Sequence, residues 1–181
     1  MIGSIFRTLY YFVLKRVNKT AYAKKRGVNF NEGKVYFYGI TEWGSEPWLV
    51  TLGDNVYLTD GVKFITHDGG TLLYRHLVPD LEITKPIKIG NDVYVGNNVT
   101  FLPGVTIGNN VVIGTGAIVS RDIPDNSLVV GVPARRIKSA DEYLEKLKSE
   151  SLHLGHLKGK EKDEAIKKYY GYDLSKKKNN N

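Results

Sequence analysis

Histidine is the side chain whose ordinary pKa lets it take and return a proton near neutral pH, and this chain carries four histidines and no cysteine. The missing cysteines remove thiolate nucleophiles, thiolate metal ligands and disulfides, and give no sign of an oxidising compartment, so a cytoplasmic location is expected. His67 and His76 lie mid-chain, whereas His153 and His156 lie near the end. A metal held by three histidines would need that distant region to fold back, and no metal site is expected. His67 stands beside Asp68 in the segment THDGG, where two readings compete: a proton-transferring imidazole, or a polar turn built from ordinary turn residues. Glu42, Glu46 and Asp68 are the acids placed to hold one ring nitrogen and fix the tautomer. Asp68 is also a turn former and too near in sequence to be assumed to point back at its neighbour.

The elements that must position these groups follow from a period of six. Ile89, Val95, Phe101, Ile107, Ile113 and Val119 form one six-spaced apolar series. A second, Val93, Val99, Val105, Val111, Ala117, Ile123 and Val129, follows it four residues later. Gly90, Gly96, Gly108 and Gly114 come directly after members of the first series, while Leu102 and Ser120 depart from that rule. An amphipathic helix cannot put residues six apart on one stripe. The pattern instead predicts short flat strands separated by corners, three faces to a triangular coil, and coils stacked at the ~4.8 Å strand spacing over an aliphatic column. Asn91, Asn97, Asn98, Asn109 and Asn110 fall at corners that favour positive φ.

The same phase appears upstream in Leu52, Leu58 and Phe64, with Val56, Val62 and the corner Gly53. Between Phe64 and Ile89 the period breaks, which predicts an excursion of about 20 residues; loops that long are usually functional or disordered. His67 lies where the repeat breaks. The expected organisation is a helical segment over 1–27, a β-helix over 28–138 with a protruding loop at 66–86, and a helical extension and tail over 139–181. Ile5 to Lys25 reads as helical, Ser139 with Glu142 reads as the start of another helix, a short helix is expected near Glu161 to Tyr170, and the final SKKKNNN reads as a frayed tail.

The net charge of +7 is unevenly spread. Residues 1–26 hold seven Lys or Arg and no acid, residues 27–134 hold six against eleven acids, and residues 135–181 hold thirteen against eight. A nucleic-acid-binding core would carry the basic stripe on itself, so nucleic acid is not an expected partner. Ile5 to Val17 is apolar and aromatic but interrupted by Arg7, Lys15 and Arg16, and falls short of the ~20 apolar residues of a spanning helix. It reads either as an amphipathic helix packed on the main domain or as an interfacial helix giving peripheral contact with anionic lipid.

The hexapeptide spacing, the THDGG segment and the run IGTGAIVSRDIPDNSLVVGVPARRIK together resemble the hexapeptide-repeat acyltransferase superfamily, most nearly its maltose and galactoside acetyltransferase relatives, over roughly residues 28–138. The resemblance implies a left-handed parallel β-helix, a homotrimer with active sites between neighbouring subunits, and acetyl-CoA as donor. It assigns His67 as the base that removes the proton of an acceptor hydroxyl and returns one to the departing thiolate. For coenzyme A it implies Asn97, Thr115, Ser120, Arg121, Arg135 and Lys138, short residues for the slender arm and cations for the phosphates. The family often has alanine near Thr115 and lysine at Arg121.

On the acceptor side, Tyr36, Phe37, Tyr38, Trp43 and Trp48 offer aromatic faces that suit a sugar ring, or equally the packing of the first coil or a subunit contact. TEWGSEPW followed by THDGG resembles the branch that acetylates sugars of surface polysaccharide or lipopolysaccharide; a small acceptor such as an antibiotic, serine or an amino sugar is the alternative. Carbonic anhydrases and sugar nucleotidyltransferases share the repeat. The first would need three histidine ligands and the second an additional nucleotide-binding domain.

Overall fold

The computed structural model describes residues 2–172. They divide into two compact units, one ending at Tyr143 and the other beginning at Leu144. The basic tail expected to fray lies outside the described residues.

The first unit is a triangular prism of stacked coils. On its first face Val35–Phe37, Val56–Leu58, Val93–Val95, Val111–Ile113 and Ser127–Val130 pair in parallel, in that order, and Arg135–Lys138 closes the sheet antiparallel. The second face stacks Thr41–Glu42, Val62–Phe64, Thr100–Phe101 and Ile118–Val119. The third stacks Val50–Leu52, Ile87–Ile89 and Thr106–Ile107, extended by a bridge to Ile123. Both apolar series point inward, from Val93 and Val95 to Ala117 and Val119, and their members are almost without exposure. Each fully buried aliphatic contributes about 1.5–3 kcal/mol against the entropy of ordering the chain.

Register fixes the length of a coil. Val93 pairs with Val111, 18 positions on, whereas Val56 pairs with Val93, 37 positions on. The second coil therefore carries 19 extra residues, all inserted after Phe64 and before Ile87.

The corners obey two rules where the sequence suggests one. Asn98 and Asn110 adopt positive φ, as do Asn55, Asp92 and Asn126. Asn91, Asn97 and Asn109 do not; their side-chain oxygens accept the backbone N–H of Asp54, Asp60 and Asn91 on the preceding coil at 2.8, 3.1 and 2.8 Å. The repeating glycines also serve closeness rather than φ. A Cβ on Gly90 would lie 2.6 Å from the Gly108 carbonyl oxygen, and one on Gly96 would lie 2.6 Å from the Thr115 nitrogen.

The amino-terminal segment is two helices, α1 (Ile2–Val17) and α2 (Lys19–Lys25), rather than one. Asn18 leaves helical geometry at φ −145° and its side chain caps α2 by accepting the Ala21 N–H at 2.9 Å, the preferred role of asparagine at a helix start. Ala23 and Tyr22 of α2 pack on the prism core. The inserted loop contains one helical turn, α3 (Thr71–Tyr74). After the coils, Ser139 and Glu142 form a reciprocal capping box at the start of α4 (Ala140–Glu150). The division between the two units falls within α4, just beyond the boundary expected at 138/139. The last described helix is α5 (Gly159–Tyr169).

Candidate active site

The second face ends at Phe64, and the next residues begin the insertion. The neck of that loop is closed by its own antiparallel ladder: Lys85 N–H donates to the Thr66 carbonyl at 2.8 Å, Asp68 N–H donates to that of Ile83 at 2.9 Å, and His67 bridges Thr84. His67 is thus on paired backbone, half-exposed at the rim of the prism.

Its ring is held from the previous coil. Nδ1 of His67 lies 2.9 Å from Oε2 of Glu46, and the Thr66 hydroxyl donates to the same oxygen at 2.6 Å. The Thr66 hydroxyl, and with smaller effect His67, hold the Glu46 carboxyl below its ordinary 4.5, against a desolvation that would raise it. Glu46 is therefore a carboxylate near neutral pH and can only accept. Nδ1 must carry the hydrogen in this pair, which leaves the Nε2 lone pair to act as a base.

A recess of about 220 Å³ opens beside this pair, lined by Ser45, Glu46, His67, Leu72, Arg75 and Glu82 among others. Arg75 and Glu82 face each other across the loop at 2.5 Å.

Of the three acids expected near His67, only Glu46 holds the ring. Asp68 spends Oδ1 on the Gly70 N–H at 2.9 Å, and its carbonyl takes the Thr71 hydroxyl, so it is the turn former its type suggests. Glu42 is exposed on the outer side of the second face, in register with Lys63. Trp43 is 2% exposed and stacks on Phe64 at 5.0 Å, which in turn stacks on Phe101 at 4.9 Å. Those spacings are the coil rise. Trp43 is part of the core column and presents no face to an acceptor, whereas Trp48, Tyr36 and Tyr38 are exposed.

The expected donor-binding set is divided between two edges of the prism. Ser120 and Arg121 share the edge of His67, since Ile65 N–H donates to Phe101 O and Leu102 N–H donates to Val119 O in one continuous column. Asn97 and Thr115 sit on the edge between the first and second faces, where Gly116 N–H donates to Asn97 O and the Asn97 side chain stitches to Asp60. Arg121 and Arg135 line one groove of about 190 Å³ with Arg136. Lys138 is placed further along, opposite Leu128. Arg136 was not among the expected residues; it braces the groove through Ser127 Oγ at 3.2 Å and the Asn126 carbonyl at 3.3 Å. Thr66 was also missed, although its place directly before His67 at the break in the repeat marks it. Among the described residues no cluster of three or more His, Asp or Glu is arranged to hold a metal.

Residues 86–121 match the family model described as bacterial transferase hexapeptide (six repeats). Protein CapG of Staphylococcus aureus is 40% identical over 142 residues, covering 78% of this chain and 83% of that one. This chain belongs to the hexapeptide-repeat acetyltransferases. Galactoside O-acetyltransferase of Escherichia coli (strain K12) is 36% identical over 117 residues, 64% of this acetyltransferase and 57% of that protein. The chain thus spans little more than half of that relative. The crystal structure of a maltose O-acetyltransferase from Clostridium difficile 630 superposes with a TM-score of 0.53 at 25% identity, covering 72% of this acetyltransferase and 84% of that chain. The fold is the left-handed parallel β-helix of the family.

Proposed function

We propose that the protein transfers an acetyl group from acetyl-CoA to a sugar hydroxyl in the synthesis of a surface polysaccharide or lipopolysaccharide. The observation that carries this reading is the Glu46–His67 pair at the mouth of the recess. Nε2 of His67 takes the proton of the acceptor hydroxyl while its oxygen attacks the thioester carbonyl. The tetrahedral adduct then expels the thiolate, which recovers the proton from the imidazolium, giving an ester and free coenzyme A. Glu46 keeps the ring in the required tautomer and stabilises its cationic form. Galactoside and maltose O-acetyltransferases among the relatives support a sugar hydroxyl as acceptor.

The donor fits the groove of Arg121, Arg135 and Arg136, where guanidinium groups suit phosphates. Arg121 of that groove follows Ser120 on the edge that also carries His67. Asn97 and Thr115 lie on the other edge and contribute to the same donor only when a neighbouring subunit brings that edge alongside, which accords with the homotrimer that the family resemblance implies. Release of coenzyme A thiol from acetyl-CoA, measured with monosaccharides, lipid-linked sugars, serine and aminoglycosides, tests the reading. Sugar-dependent release supports it; release driven only by serine or an antibiotic replaces the acceptor.

A further inference from the structure

We infer that α1 and α2 form a dock for the surface of an anionic bilayer. Phe6, Leu9, Tyr10, Val13 and Val17 are all exposed, and their spacing places them on a single stripe of α1. Arg7 lies on one flank of the stripe and Arg16 on the other, with the Arg16 guanidinium 3.8 Å from the Phe12 ring centroid. An apolar stripe edged by long cationic side chains is the composition of a helix lying in the headgroup region, its stems among the acyl chains and its charges in the phosphates. The opposite side of α1 is turned inward, Tyr11 meeting Tyr22 of α2 edge-on at 6.0 Å.

Charge complementarity selects the occupant. Residues 1–26 hold seven Lys or Arg and no acid, so each cation near a bilayer of negative surface potential is worth ~1 kcal/mol. A second copy would set the same cations against one another. No described helix is long and apolar enough to cross a membrane, so the contact is with the surface.

The dock is tied to the chemistry. Arg26, at the end of α2, donates from Nη2 to the Gly44 carbonyl at 2.9 Å, two residues before the Glu46 that holds His67. A bilayer bound by α1 is therefore linked through short, ordered backbone to the recess.

The test is co-sedimentation of the full chain with phosphatidylcholine vesicles containing phosphatidylglycerol, against phosphatidylcholine alone, without donor or acceptor, so that it does not depend on the catalytic reading. Binding is expected to the anionic vesicles only, and the F6S/V13S variant should weaken it about tenfold or more while keeping its circular dichroism spectrum. Absence of binding, equal binding to both vesicle types, or binding that survives F6S/V13S would overturn the proposal. So would a fall in molar mass of F6S/V13S by light scattering with no vesicle binding in the parent chain, which would assign the stripe to a second copy.

Discussion

The Nδ1 of His67 and the hydroxyl of its neighbour Thr66 meet on one oxygen of Glu46, at 2.9 and 2.6 Å. Two adjacent residues on the loop neck thereby share a carboxylate contributed by the preceding coil. Strand residues alternate sides, so a buried threonine beside a half-exposed histidine is what a paired neck produces; the shared acceptor makes the pair a unit.

Replacing His67, the base of the proposed reaction, should remove the proton acceptor while leaving the recess open. H67A is expected to lower kcat by about 10²- to 10⁴-fold with a smaller change in KM, read as thiol release from acetyl-CoA with the best acceptor. An unchanged kcat would mean that another group takes the proton.

In the proposed reaction Glu46 is a positioning residue, and its removal should show in two readouts. E46Q is expected to lower kcat about tenfold or more, because a carboxamide does not fix the tautomer or stabilise the imidazolium. Its folded-state pKa is depressed below 4.5, chiefly by the Thr66 hydroxyl. The stabilisation this represents is complete above the ordinary value and is lost as pH falls through the lowered one. Melting temperature of the parent chain should therefore drop more steeply below about pH 5 than that of E46Q. Parallel curves would deny the carboxylate this role.

The Arg135 side chain lines the terminal groove with Arg121 and donates to the adjacent Ala134 carbonyl. R135A should raise KM for acetyl-CoA severalfold and leave KM for an acetylated pantetheine lacking the nucleotide phosphates unchanged, a contrast that steady-state kinetics can read. Equal effects on both donors would remove Arg135 from phosphate binding.

Trp43 and Trp48 should behave oppositely. W43A opens a gap at the end of the Trp43–Phe64–Phe101 stack and is expected to cost about 3–5 kcal/mol in denaturant unfolding. W48A, at an exposed position, should change stability by less than about 1 kcal/mol.

The six-residue period made the coils, the inward column and the insertion point legible, because stacking turns sequence spacing directly into three-dimensional register. It could not separate the two kinds of corner asparagine, since both types recur on the same clock and differ only in whether the side chain or the backbone makes the turn. His67 was readable from the break it occupies. Its partner was narrowed to three acids but not chosen, because Glu46 reaches it across coils from an irregular segment with no period to count. Trp43 was left between an acceptor face and the packing of the first coil for the same reason: aromatic clustering in TEWGSEPW does not tell which ring faces the column. The break at Asn18 was hidden within a continuous helical pattern and is visible only through its cap.

The insertion leaves the stacking as though it were absent, with Lys63 aligned on Thr100 and Leu52 on Ile89, while its neck is zipped by its own bonds. The loop is consequently an exchangeable cassette. The stretch beyond the neck can change in length and lining without reshaping the scaffold, while the neck that carries Thr66 and His67 and the coil that carries Glu46 stay in place.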